Sequence, residues 1–110
     1  MIVKGWNNGS PNNETGGGYG VSVKRKDIKR YFKKEWSSVI VELEGKGDIE
    51  VSVSPSFWIC CTEIRKKELG KWMINNNLAP WPKGHPPAFE LVPISNRRFR
   101  LHIIKPSRKD

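Results

Sequence analysis

Six basic side chains fall within ten residues: Lys24, Arg25, Lys26, Lys29, Arg30 and Lys33. Ammonium and guanidinium groups at that density suit phosphate oxygens, because each donates charge-assisted hydrogen bonds to an anion. Asp27 is an acceptable N-cap, and a helix starting there aims free amide protons towards Lys24, Arg25 and Lys26. The expectation is a phosphate site, extended along an exposed helix face by Lys29, Arg30 and Lys33. Arg97, Arg98 and Arg100 form a second basic group, and a guanidinium fork pairs with guanine in a major groove. Asn7 and Asn8, with Asn12 and Asn13 behind them, carry the amide that pairs with adenine. Trp6 and Trp81 are candidate platforms for stacking an unpaired base, and Trp81 is also a candidate lid over one end of the core.

Other chemistries fit less well. Gly16-Gly17-Gly18-Tyr19-Gly20 lacks GxGxxG spacing and a following Lys-Ser/Thr, so it reads as a hinge and not a phosphate loop. Cys60 and Cys61 with His85 and His102 do not have the spacing of a zinc site, and extended neighbouring cysteines point to opposite faces. Trp58-Ile59-Cys60-Cys61 reads as core, so the thiols are expected to be buried and inert. His85 and His102 could form the acid–base pair of a metal-independent nuclease. However, His85 sits among prolines and His102 on the outer side of a strand. Glu42, Glu44 and Glu50 are expected on the outer face of a hairpin, with Glu42 and Glu50 as cross-strand neighbours turned away from any polyanion. No catalytic group, metal or cofactor is expected.

The chain has 110 residues and a formal charge of +9. Residues 22–36 carry seven basic against two acidic side chains, and 83–110 carry seven against two, whereas 37–54 carry one against four. Such blocks of like charge attract polyanions. No apolar run approaches the roughly 18 residues that a membrane span requires. Met1-Ile2-Val3-Lys4 lacks a signal core and the paired cysteines suit a reducing compartment, so a cytoplasmic location is expected.

Several elements must position these groups. Residues 5–18, rich in Gly, Asn, Ser and Pro, read as a polar, mobile arm. Tyr19–Val23 alternates like a strand. Ile28, Phe32 and Trp36 repeat at i, i+4 and i+8, which predicts a helix from Asp27 to Trp36. Val39, Val41 and Leu43, then Ile49, Val51 and Val53, flank Gly45-Lys46-Gly47-Asp48 and predict an antiparallel hairpin. Thr62 to about Asn75 predicts a second helix, buried through Ile64, Leu69, Trp72 and Met73, with Asn75-Asn76-Asn77 suited to its C-terminus. Four prolines between Pro80 and Pro87 forbid a regular ladder. Phe89-Glu90-Leu91 and Phe99–Ile103 alternate around Ser95-Asn96-Arg97-Arg98, a second hairpin. The basic tail at 105–110 reads as frayed. The class is α+β in one domain, 1–110: mostly antiparallel strands in a partly closed barrel with two amphipathic helices.

That order, with a polar arm before the first clear strand and a basic hairpin late in the chain, resembles the B-three pseudobarrel. This DNA-binding fold occurs in plant transcription factors and in restriction endonuclease recognition domains. The resemblance implies that an arm over Trp6–Gly18 and another from a later loop grip a major groove. The expected function is a non-enzymatic domain binding double-stranded DNA, acting alone or beside a fused or associated enzyme. The alternatives are a single-strand binder stacking bases on Trp6, Tyr19 and Trp81, and a module docking an acidic protein through the proline segment.

Overall fold

The computed structural model describes residues 1–53 and 55–104. The expected tail at 105–110 lies outside the described residues. Seven strands form one mixed sheet that nearly closes into a barrel: β1 Ile2–Asn7, β2 Tyr19–Ser22, β3 Ser38–Leu43, β4 Gly47–Ser52, β5 Glu63–Arg65, β6 Ala88–Ser95 and β7 Arg98–Ile103. Their order is β4-β3-β7-β6-β1-β2-β5. Only β3 and β7 run parallel, with Val41 opposite Phe99 and Leu43 opposite Leu101. The two edges, β4 and β5, approach each other, and Lys66 Nζ donates to the Glu50 carbonyl across the gap at 2.5 Å.

Alternating side chains build the interior as expected. Val39, Val41, Leu43, Ile49 and Val51 are buried along the β3–β4 hairpin, and Phe89, Leu91, Phe99 and Leu101 along β6–β7. The β3–β4 register pairs Val39 with Val51 and Glu42 with Asp48, so Glu50 stands opposite Ile40 and not Glu42. The turn is the three residues Glu44-Gly45-Lys46 and not the expected four, Gly45-Lys46-Gly47-Asp48, and this moves the register.

Four elements differ from the sequence expectation. Gly5, Trp6 and Asn7, expected in the arm, belong to β1, which pairs with β2 and β6. The first helix, α1, spans Arg25–Tyr31 and stops before Phe32, which is extended at φ −114° and ψ 152°. The aromatic stripe survives that break because Trp36 turns back to meet Phe32 edge-on at 6.2 Å. A short helix, α2, occupies Pro55–Ile59, with Pro55 at a first-turn position where its missing N–H costs nothing. Glu63–Arg65 is strand β5 paired with β2, so the following helix, α3, spans only Lys67–Asn75. Asn77 follows it at φ 60°, the left-handed conformation that the asparagine run suggested.

The helices close opposite ends of the barrel. At one end, Phe32 stacks on Phe99 at 4.7 Å and meets Phe57 of α2 at 5.1 Å, which fastens α1 and α2 together. At the other, α3 buries Leu69, Trp72 and Met73, and Trp72 Nε1 donates to the Glu44 carbonyl in the β3–β4 turn at 2.8 Å. The β1–β2 loop is clamped onto α3 at Gly16, whose φ is +85°, and Gly70. A Cβ on Gly70 would lie 2.0 Å from the Gly16 carbonyl oxygen, so the loop can approach the helix only because both residues lack side chains. Gly70→Ala should therefore lower unfolding stability by about 1–3 kcal/mol, as overpacking does. Urea unfolding measures this, and an unchanged midpoint would contradict the close approach.

Candidate nucleic-acid interface

The cations expected on α1 share one surface. Lys24, Arg25, Lys26, Lys29 and Arg30 are exposed, as are Lys33 and Lys34 just beyond the helix. Arg25 Nη1 donates to the Trp58 carbonyl at 3.2 Å, tying this surface to α2. Arg30 lies 5.5 Å from the Tyr31 ring centroid, and Lys34 Nζ lies 5.8 Å from that of Trp58, both within cation–π range. Lys29, Lys33, Lys34, Glu35, Phe32 and Trp58 surround an open recess of about 530 Å³. Among the described residues, every ion pair lies elsewhere, on the β3–β7 face. The lysines around α1 therefore have no carboxylate partner in an ion pair among the described residues. With only seven residues, α1 contributes little as a dipole, and its N-cap is Lys24 and not Asp27. Anion affinity at this surface rests on side-chain charge.

Arg97, Arg98 and Arg100 are arranged differently from the expected base readers. Arg98 and Arg100 lie on β7, not in a loop. Arg98 Nη1 is 2.8 Å from Glu42 Oε2 and 2.7 Å from Asp48 Oδ2, and Arg100 Nη2 is 2.9 Å from Glu42 Oε1. Arg97 occupies the β6–β7 turn at φ 60°, with Nη1 donating to the Ser38 carbonyl at 3.1 Å and to Ser38 Oγ at 3.0 Å. All three guanidinium groups are engaged within the protein. Glu42 offsets Arg98 and Arg100, because the parallel β3–β7 register sets it opposite Arg100. Glu44 accepts from the Ile103 amide at 2.9 Å, and His102 Nδ1 lies 3.2 Å from the same oxygen.

The asparagines of the expected arm hold its shape. Asn7 Oδ1 accepts from the Gly9 amide and Asn8 Oδ1 from the Ser10 amide, both at 2.9 Å. Asn12 Oδ1 takes the Glu14 and Thr15 amides, and Asn13 Oδ1 accepts from the Tyr19 hydroxyl. The Asn7, Asn8 and Asn12 contacts are the local turns that Asn side chains favour. Trp81 is half-buried against Tyr19, with ring centroids 5.5 Å apart, so it acts as the lid over this end of the core.

Sequence reasoning missed three features. Lys34 and Trp58 belong to the α1 surface; the helix expected through Trp36 and the burial expected for residues 56–61 hid them. Arg65, Lys66 and Lys67 fall within the helix expected from Thr62, but instead stand where β5 ends and α3 begins. There, with Trp6 and Asn8, they line a groove of about 280 Å³, and the Arg65 guanidinium lies 5.6 Å from the Trp6 centroid. The cysteines also differ from expectation: Cys60 is exposed, and its Sγ is 3.1 Å from that of Cys61, so the two do not point apart. Among the described residues, no three His, Cys, Asp or Glu side chains gather as metal ligands, and no helix is long and apolar enough to cross a membrane. Comparison with family models, with curated proteins and with solved structures returns no match.

The β3–β7 ion network has a pH signature. Hydrogen bonds from Arg98 and then Arg100 hold the Glu42 carboxyl below its ordinary value of 4.5. The unfolded chain then binds more protons in that range, so stability rises with pH there. The contribution is fully present above pH 4.5 and is lost as pH falls through the lower folded value. Melting temperatures across the acid range should show this loss in the parent protein and a flatter profile in Glu42→Gln. Identical profiles would show that the network does not couple to folding.

Proposed function

We propose that this protein binds nucleic acid without catalysis, with double-stranded DNA as the principal partner. The observation that carries the reading is the division of its cations. Arg98 and Arg100 of the β6–β7 hairpin are paired with carboxylates and Arg97 is bonded to Ser38, whereas Lys24, Lys26, Lys29, Lys33 and Lys34 remain exposed and free of ion pairs among the described residues. Ammonium groups held apart without counter-charge are relieved by phosphate, and their attraction does not depend on sequence.

The spacing of the two cationic clusters favours a duplex. The β2–β5 ladder runs from Ser22–Glu63 to Gly20–Arg65. Lys24, Arg25 and α2 stand at its first end, and Arg65, Lys66 and Lys67 with Trp6 and Asn8 at its second. A ladder of three or four residues is about 10–13 Å long, comparable to the roughly 12 Å width of a B-DNA major groove. Each cluster can then meet one backbone of the same groove. The B-three resemblance fits this arrangement, with the β1–β2 loop as the first arm and residues 53–62, between β4 and β5, as the second. Asn7 and Asn8 remain candidates for base contact in the first arm. Arg97, Arg98 and Arg100 do not enter the proposed interface, because freeing them would strip Glu42 and Ser38 of their partners.

If about four phosphates are neutralised, affinity for a short duplex should fall on the order of 100-fold between 50 and 200 mM salt. The triple variant Lys29→Glu, Lys33→Glu, Lys34→Glu should weaken binding equally on unrelated sequences and reduce the salt slope. Arg100→Ala should leave affinity within about two-fold of the parent, since surface pairs of this kind contribute little. Fluorescence anisotropy measures all three. A salt-independent dissociation constant, or one untouched by the triple reversal, would refute the proposal.

A further inference from the structure

Beside the α1 lysines, between the segment leading into β3 and α2, lies an open cleft of about 550 Å³. Trp36, Trp58, Val53, Pro55 and Ile59 line it with apolar surface, and Lys34, Glu35, Ser37 and Ser52 supply its polar positions. The volume falls in the range of small-molecule sites, which are mostly apolar with a few convergent polar groups. Its floor is fixed, because the Val53 amide donates to the Ser37 carbonyl at 3.0 Å. Lys34, Glu35 and Trp58 also line the neighbouring lysine recess, so the two hollows are continuous.

We infer that this cleft receives a single unpaired nucleobase from a strand whose phosphates rest on Lys29, Lys33 and Lys34. The inference builds on the nucleic-acid reading above and adds to it a subsite for the base. Three observations support a base over another apolar guest. First, the hollow divides by charge. Its apolar half holds two indoles, on which any base can stack, and the adjoining recess carries Lys29, Lys33 and Lys34. Second, Glu35 is the one carboxylate lining it; it would repel a phosphate but accepts a hydrogen bond from an exocyclic amine, as on cytosine. Third, Ile59 on its rim is 72% exposed and has no place in the core. An aliphatic side chain so placed suits the gap that a displaced base leaves, as apolar wedges do between base steps. In addition, Trp58 Nε1 is buried with no hydrogen-bond partner among the described residues, so packing alone does not hold this ring at low cost.

The test compares a fully paired DNA duplex with the same duplex carrying one extra, unpaired cytosine, and both with that cytosine replaced by thymine. The bulged cytosine duplex should bind on the order of ten-fold tighter than the paired one and quench tryptophan emission, with thymine giving a smaller gain. Trp58→Ala should abolish the preference for the bulged over the paired duplex, and with it the added quenching of tryptophan emission. Ile59→Ser, a surface change that cannot unfold the protein through its core, should reduce the preference several-fold. Equal affinity for paired and bulged duplexes would overturn the base subsite and leave the phosphate surface standing. A preference for the bulge that survives both variants would place the base elsewhere and also overturn it. Binding to neither duplex would overturn the nucleic-acid reading itself.

Discussion

The parallel pairing of β3 with β7 holds the molecule together. Among the described residues it is the one ladder joining the β3–β4 hairpin to the β7-β6-β1-β2-β5 group, and without it the sheet would divide in two. It joins the halves on both faces. Inside, it sets Val41 beside Phe99 and Leu43 beside Leu101 in the interior; outside, it sets Ile40 and Glu42 beside Arg98 and Arg100. A parallel pair needs a long return path, and here β4, α2, β5, α3 and β6 all lie between its partners along the chain. Glu42, with Asp48 across the hairpin, supplies the polar side of that joint.

The same joint sorts the charge of the protein. A chain of +9 would repel itself if its cations were spread without partners. The acidic hairpin instead lies against the basic one and cancels it, leaving the excess at α1 and at the end of β5. The two clusters gain their proposed role from position. Short strands β2 and β5 separate them, α1 and α2 are locked by Phe32 and Phe57, and the β1–β2 loop is held to α3 through Gly16 and Gly70. An interface built on these elements is rigid before any partner arrives, which lowers the ordering cost of binding.

Periodicity made the long, one-sided elements legible. The β3–β4 and β6–β7 hairpins and the hydrophobic face of α3 stood out because alternate or helically spaced residues face one core. The short elements escaped for physical reasons. Three residues of β5 cannot display a period, and β1 carries Gly5 and Asn7 where a strand pattern would show apolar side chains. The stripe Ile28–Phe32–Trp36 fits a helix, yet an extended Phe32 brings the same aromatic rings together, so spacing could not distinguish the two. The cationic run at 24–33 was visible as such. Which arginines are free was not, because it depends on the register between strands whose paired residues lie 58 positions apart in sequence. Lys34 and Trp58 became part of the surface only once the helix ended early and α2 turned Phe57 inward and Ile59 outward.

The central claim is that free cations at the two ends of the β2–β5 ladder, and not the β3–β7 face, meet the partner. An amide chemical-shift map of the labelled protein titrated with a short DNA duplex addresses it directly. The account expects changes at residues 24–34, at 55–62 and at Arg65–Lys67, with Arg98 and Arg100 unmoved. Changes centred on β3 and β7, with α1 silent, would contradict it.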